Sequence, residues 1–376
     1  MSEKIKIKVL ECIRQGKIGG GESHLLSLAE NIDRNIFEPI ILSFTDGPMI
    51  DKLKEMGIQT HIIHSEKPFD FRVRKNILSL LKEEKIDLIH THGTRATSNL
   101  IGPSKKLKIP IVYTIHGWSF HDDQKPLVKK IRVLSEKYLT SKTDVNIAVS
   151  QSNLLSGIKV IPKLKGIVIN NGIDQQKFNK QRELKNIREE LDIPASGILL
   201  IFIARFTSHK QPLSLIKSFA EALKINPLLK LLMVGEGDEK DTALAMVKEM
   251  NIEKDIFFLP FRQDVPDLLA SADIFILPSL WEGLPIGLLE AMSMGKAVIA
   301  TNVDGTSEIV KNNENGLLIE VDDLVKNLTN AIQNLSADKE LRNRLSLNAL
   351  QTVNEKFNAG AMTTAIENVY KKIIFK

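Results

Sequence analysis

The sequence predicts an α/β protein built from two doubly wound, mostly parallel sheets. Apolar strand-like runs alternate with amphipathic helical stretches along most of the chain, the pattern of repeated βα units. That alternation breaks once, in the polar and largely charged stretch 174–196, and then restarts. A length of 376 residues is long for a single core and suits two domains.

In the first half the expected strands are Ile5–Ile13, Pro39–Phe44, Gln59–Ile63, Leu88–Thr91, Ile111–Ile115, Val145–Val149 and Gly166–Ile169. Helical patterns fall between them at Glu22–Ile32, Met49–Met56, Arg74–Glu84, Thr94–Lys106 and Pro126–Thr140. The polar break ends in Ile-Pro-Ala-Ser, whose Pro194 favours an extended chain before it. Strand and helix then alternate again: Gly197–Ala204, Pro212–Asn226, Lys230–Val234, Glu239–Asn251, Ile256–Leu259, Val265–Ser271 and Ile274–Leu277. Ala359–Ile374 closes the chain as a helix with Met362, Ala365, Ile366, Val369, Tyr370 and Ile373 at helical spacing. The expected domains are 1–172 and 197–357, joined through a linker at 173–196 and followed by the terminal helix 358–376.

Composition narrows the function classes. Hydrophobic content of 43% and charged content of 26% are ordinary for a soluble domain, and no apolar run approaches the length of a membrane span. The amino-terminal segment is strand-like and charged rather than a signal peptide, and the single cysteine, Cys12, permits no internal disulfide. Cys12 lies in an apolar strand pattern and reads as a core residue; a cytoplasmic location is expected. Net charge is +5, but it is uneven: residues 1–180 carry 29 basic and 19 acidic groups, the remainder 22 and 27. The basic half is either solvated surface or a face that meets an anionic membrane or phosphate-bearing acceptor. With 5% aromatic residues and no helix-turn-helix or RNP pattern, nucleic acid is not an expected partner.

The segment Ser279–Thr301 carries the most chemistry. An apolar strand precedes it, and Glu282 and Glu290 stand either side of a helix start marked by Pro285 and ended by Gly295. The first turn, with the small residue Gly287 in it, offers free N–H groups to an anion. A carboxylate beside those amides suits a ribose diol next to phosphate. Arg205 and Lys210 lie in the loop after the strand Gly197–Ala204, where ligands of open α/β sheets bind. Two fixed cations there would neutralise a diphosphate leaving group without a metal. Gly235 and Gly237 follow the next strand as a turn that lets backbone approach a ligand, or as a plain βα turn. Phe261 and Arg262 follow the strand after that, where main-chain groups would hold a base.

In the first half, Gly19, Gly20 and Gly21 form a loop leading into a helix headed by Glu22. The loop does not spell G-x-G-x-x-G and no acidic residue closes a second strand, which argues against a nicotinamide site. His90, His92 and His116 stand at two strand ends on the expected ligand side, whereas His24, His61 and His64 read as structural. Without an HExxH motif or a cysteine pair, no zinc site is expected. Asp122–Asp123 reads as surface, and no G-x-S-x-G nucleophile elbow occurs.

Together these residues resemble the family 4 retaining glycosyltransferases of the GT-B fold, bacterial polysaccharide type. GGGESHLLSLAE, DLIHTHG, YTIHGW, IAVSQ, VINNGID, IARFTSHKQP, LLMVGEGD and the Glu282/Glu290 pair occur in the family's order over nearly the whole chain. The resemblance implies two Rossmann-like domains facing a central cleft, acceptor bound by the first and sugar nucleotide by the second, with the last helix packed back on the first domain. It also implies that Arg205 and Lys210 hold the diphosphate, Glu290 the ribose, and Glu282 with Gly283, Leu284, Pro285, Ile286 and Gly287 the sugar and phosphates. His116 would lie by the transferring sugar and Gly19–Gly21 by donor phosphate or acceptor, with no essential metal. Asn170 stands where the family more often has proline, and Pro285-Ile286 where it varies. The expected activity is hexosyl transfer with retention from a nucleoside diphosphate sugar, UDP ahead of GDP. The expected acceptor is a lipid-linked or polysaccharide intermediate of bacterial cell-surface glycan synthesis, reached from the inner membrane face. The alternative reading is a GT-B-like epimerase or hydrolase of sugar nucleotides.

Overall fold

The computed structural model describes residues 6–17, 19–121 and 124–376, and divides into two compact units, 1–172 with 359–376, and 173–358. The acidic pair Asp122–Asp123 lies outside the described residues.

Among the described residues, the first unit holds a seven-stranded sheet: β1 (Ile7–Ile13), β2 (Phe37–Ser43), β3 (Gln59–Ile62), β4 (Leu88–His92), β5 (Ile111–Ile115), β6 (Val145–Ala148) and β7 (Ile167–Val168). Their order is β3-β2-β1-β4-β5-β6-β7, every pairing parallel. The chain winds outward from β1 to β3 and then crosses to β4 on β1's other side. The order therefore reverses between β1 and β4, and the carboxyl ends of these two strands border the crevice where such sheets bind ligands. Covered on both faces, the strands are almost continuously apolar; Glu11, His90 and His92 are buried exceptions. The helix Ala359–Ile374 belongs to this unit. Its Met362, Ile366, Val369 and Tyr370 pack with Val9, Leu88 and Val112 of the sheet.

The second unit repeats the plan with β8 (Ile198–Ile203), β9 (Leu229–Val234), β10 (Ile256–Leu259), β11 (Ile274–Leu277), β12 (Ala297–Thr301) and β13 (Leu317–Ile319). Here the parallel order is β10-β9-β8-β11-β12-β13, so the reversal falls between β8 and β11. Phe202, Phe206, Phe219, Leu231 and Ile276 sit in a core completed by Leu328, Ile332 and Leu335. Those last three come from the helix Leu324–Ala337.

Residues 173–196 pack onto this second unit rather than spanning free. Phe178 and Ile187 are buried, and a short helix forms at Ile187–Glu190. Arg188 clips the segment to the sheet by donating to Ser271 O at 2.8 Å, Gly197 O at 2.9 Å and Asp273 Oδ2 at 2.6 Å.

Candidate functional site

At the second unit's switch point, β8 runs into a loop braced from below. Gly235 has φ +141°, and a Cβ there would lie 2.1 Å from Ala204 O; one on Gly237 would lie 2.2 Å from Phe206 O. The tight approach these glycines permit is thus to the 204–206 backbone, which fixes the loop that carries Arg205 and Lys210. Phe206 is buried beneath it, while Arg205 is exposed. Ser208–Lys210 then turns as a 3-10 helix, and Gln211 takes a left-handed conformation before the helix Pro212–Leu223.

That turn brings Lys210 to the loop after β11. Lys210 Nζ donates to Glu282 Oε1, which also accepts from Ser279 Oγ at 2.7 Å. The two charged side chains are only 17% and 11% exposed, so their attraction is little screened. The loop is held from several sides. Leu280 N–H reaches His209 O at 2.8 Å, the His209 and Trp281 rings stack at 4.1 Å, and Thr301 Oγ1 donates to Ser279 O. A Cβ on Gly305 would fall 1.9 Å from Gly283 O, so the 303–305 turn presses on the same loop. Asp304 answers Glu282 N–H at 3.4 Å, and burial beside the Glu282 charge pushes its carboxyl up.

The following helix is Ile286–Ser293, with Pro285 at its N-cap (φ −72°, ψ 110°), one position before the first-turn place the sequence suggests. Among the described residues no side chain caps it, the setting in which a helix's first N–H groups can take an anion; those of Leu288 and Leu289 reach Pro285 O at 3.2 and 3.3 Å. A Cβ on Gly287 would lie 3.9 Å from Ile203 O, which sets this helix start against the end of β8. Leu284 and Ile286 are buried under the loop. Glu290 sits one turn in, half-buried; burial pushes its carboxyl up to about 7, against the pull of the Lys177 charge.

Arg262 is committed elsewhere. Its guanidinium donates to Asp264 Oδ1 at 2.8 Å and Glu190 Oε1 at 2.6 Å, tying its loop to the short helix Ile187–Glu190. Phe261 beside it is exposed.

The first unit's switch point holds a buried polar network. Glu11 Oε2 faces His92 Nε2 at 2.9 Å, and Glu11 Oε1 accepts from Tyr370 Oη at 2.7 Å. His92 Nδ1 meets His116 Nε2 at 3.0 Å. His90 lies between Tyr370 Oη at 2.5 Å and Thr114 Oγ1 at 2.7 Å. His24, which the sequence places among structural histidines, packs its ring 4.8 Å from that of His116 and bonds Asn171 Oδ1 through Nδ1 at 2.9 Å. Burial opposes ionisation of Glu11, but its electrostatic attraction to His90 and the hydrogen bonds from His90 and His92 hold its carboxyl well below the usual range. Burial lowers His92 to about 4 and His24 to about 3, and pushes His116 down as well.

With Glu11 ionised and His92 and His116 neutral, this chain has a consistent polarity. His92 Nε2–H donates to Glu11, which leaves His92 Nδ1 to accept from His116 Nε2–H. His116 Nδ1 is then a bare acceptor, and it has no hydrogen-bond partner among the described residues. Gly21 gives this ring room, since a Cβ there would sit 3.3 Å from His116 Cδ2. Gly19 caps the helix Gly20–Asn31, and Gly20 faces open space. His90 is fully buried and supports the network from within.

Two trios, His24/His92/His116 and Glu11/His90/His92, place one donor atom each within 4.8 Å of one another. An ion between the first three would have to replace the His92–His116 hydrogen bond, and the second trio's atoms already satisfy one another. In the first trio, His24 Nε2 and His116 Nδ1 have no hydrogen-bond partner among the described residues.

Sequence reasoning found the strand-end positions but missed Glu11, His24, Asn171 and Tyr370 in this network, and Lys177 near Glu290. A charged residue inside an apolar parallel strand was the available signal for Glu11.

Two family models match in succession: "Glycosyltransferase Family 4" over residues 18–177 and "Glycosyl transferases group 1" over residues 184–352. The chain is 28% identical to the UDP-Gal:alpha-D-GlcNAc-diphosphoundecaprenol alpha-1,3-galactosyltransferase of Escherichia coli, over 97% of both chains. It is also 28% identical to the N-acetyl-alpha-D-glucosaminyl L-malate synthase of Bacillus anthracis, over 85% of this chain and 84% of that one. Among solved structures, Anabaena HepE in complex with UDP and glucose superposes with a TM-score of 0.85 at 22% identity, covering 97% of this chain and all of that one. WaaG, a glycosyltransferase involved in lipopolysaccharide biosynthesis, gives 0.75 at 17% identity over 95% and 98%. The chain belongs to the family 4 glycosyltransferases and is a transferase enzyme of the GT-B fold.

Proposed function

We propose that the enzyme moves a hexose-type sugar from a nucleoside diphosphate sugar, UDP-linked by preference, to an acceptor hydroxyl with retention of anomeric configuration. The observation that carries this reading is the pairing of Lys210 with Glu282 at a switch point, beside an uncapped helix start and the carboxyl of Glu290. In the proposed step the bond from the anomeric carbon to the β-phosphate oxygen breaks, and the acceptor oxygen bonds to that carbon on the same face. The departing β-phosphate takes the acceptor's proton, leaving nucleoside diphosphate and glycoside. Lys210 exchanges Glu282 for the diphosphate, with Arg205 and the helix amides adding to the electrostatic stabilisation. Glu290 accepts from the ribose hydroxyls; on the first unit, His116 Nδ1 is the acceptor offered to a substrate hydroxyl. No metal is assigned a role.

The UDP preference and a lipid-linked or polysaccharide acceptor are supported by the relatives named above, one acting on a diphosphoundecaprenol and another working in lipopolysaccharide synthesis. Cell-surface glycan assembly at the inner membrane face follows as the proposed setting. The test is a thermal-shift comparison of UDP, GDP and their hexoses. It is followed by transfer assays with the stabilising donor and proton NMR of the product anomer. UDP-hexose is expected to raise the melting point most. An inverted product, or free sugar as the sole product with every acceptor, would overturn the reading.

A further inference from the structure

The helix Pro126–Thr140 carries its apolar stripe on the wrong side for a core. Leu127, Ile131, Leu134 and Tyr138 recur at helical spacing, yet they are 70%, 58%, 57% and 44% exposed. The opposite face is the buried one: Glu136, Thr140 and half-buried Val133 point inward. Glu136, the helix's sole acidic residue, is withdrawn from solvent by hydrogen bonds from Thr94, Tyr113 and Ser119. What remains outside is one-signed. Lys130 and Lys137 flank the stripe on one side, Arg132 lies beyond exposed Val128 on the other, and Lys125 precedes the helix.

The patch continues beyond the helix. Phe69 packs its ring 6.2 Å from Tyr138, and Phe71, next but one, is 78% exposed. Lys105 Nζ lies 5.9 Å from the Tyr138 ring centroid. Contiguous exposed apolar surface of this kind marks an interaction site. An apolar stripe bordered by cations is the composition of a helix lying in a lipid interface.

We propose that this helix, with Phe69 and Phe71, docks the first unit onto an anionic lipid surface, its apolar stripe in the acyl boundary and its lysines at the headgroups. The proposal deepens the membrane-facing part of the proposed function and rests on it for its purpose. Its physical grounds are independent. A second copy of the chain is a poor occupant, because a two-fold contact through the stripe would bring the cationic rim of one copy, Lys130, Lys137 and Arg132, toward the cationic rim of the other. Nucleic acid would meet aliphatic side chains where stacking rings are needed. The helix also follows the loop that carries His116, so docking would bring that loop toward the surface from which a lipid-linked acceptor comes.

The test is flotation of the full chain with vesicles of phosphatidylcholine alone or mixed with phosphatidylglycerol. Wild-type protein is expected to float only with the anionic vesicles, and less as salt rises. Ile131→Glu with Leu134→Glu, and separately Lys130→Glu with Lys137→Glu, should each reduce vesicle affinity about tenfold or more. Leu347→Glu, an exposed apolar site in the second unit, should change nothing. The UDP thermal shift, run on every variant, reports folding and donor binding. A normal shift with no wild-type flotation overturns the docking surface alone, and absence of the shift in wild-type protein overturns the donor reading alone. Equal flotation of all variants, or a wild-type dimer by light scattering that only the Ile131/Leu134 variant breaks, also overturns the proposal.

Discussion

The two switch points solve opposite problems with the same sheet geometry. In the first unit the polar groups are buried and bonded to one another, from Glu11 through His92 to His116. In the second, Lys210 pairs with Glu282 while both remain partly exposed, and Glu290, its carboxyl pushed up to about 7 by burial, feels the charge of Lys177. The difference teaches where each unit keeps its electrostatic energy. The first holds one ring nitrogen in a fixed tautomer. The second holds a lysine–glutamate ion pair at the edge of its crevice.

The largest expected effect comes from breaking the first network. Glu11→Ala leaves His92 and Tyr370 without their shared acceptor in the sheet's interior and should cost about 1–3 kcal/mol of stability for each donor left unsatisfied, measured by urea unfolding. A loss below about 1 kcal/mol would show that the network is not coupled to the fold. In the second unit, Lys210→Ala should leave the fold intact and slow turnover on the order of a hundredfold or more, a loss of about 2.7–4 kcal/mol. Near-normal turnover in a folded variant would remove Lys210 from the chemistry.

The regions should also respond to pH with opposite signs. His24 and His92 are lowered to about 3 and 4 from 6.5, and His116 shifts the same way. The unfolded chain therefore binds protons first, and stability should fall as pH drops from about 6.5 toward 4. Glu290 is raised from 4.5 to about 7, so its contribution is complete below 4.5 and is lost as pH rises through 7. Ionised Glu290 is the better acceptor for ribose hydroxyls. UDP affinity should therefore increase through about pH 7 in wild type and flatten in Glu290→Gln. A Glu290→Gln variant with the wild-type profile would assign the titration to another group. The smallest effect belongs to Arg262→Ala. Its partly exposed ion pairs should contribute no more than about 1 kcal/mol, and UDP affinity should hold. A tenfold loss of UDP affinity would return Arg262 to the site.

Much of this contrast was legible in the sequence on one side and not on the other. Strands such as Ile111–Ile115 and Ile274–Leu277, and the helix Ala359–Ile374, follow from apolar runs and helical spacing because burial imposes those periods locally. The Ser279–Thr301 segment was readable because loop, helix start and carboxylates are consecutive. Contacts between distant positions were not: Tyr370 reaches His90 and Glu11 across 280 and 359 positions, and Lys210 reaches Glu282 across 72. Periodicity carries no information about such pairs. The polar stretch 173–196 reads as a linker because its buried apolar anchors, Ile173, Phe178, Ile187 and Ile193, are widely spaced and follow no helix or strand period. Helical spacing likewise did not reveal that the stripe of Pro126–Thr140 faces outward.

Calorimetric titration of UDP into wild-type enzyme and Lys210→Ala tests the central claim most directly, because it asks whether Lys210 leaves Glu282 for a diphosphate. Saturable binding to wild type, with affinity at least about tenfold weaker in the variant, is the predicted result. Equal affinity in the two proteins, or no binding to wild type, would contradict it.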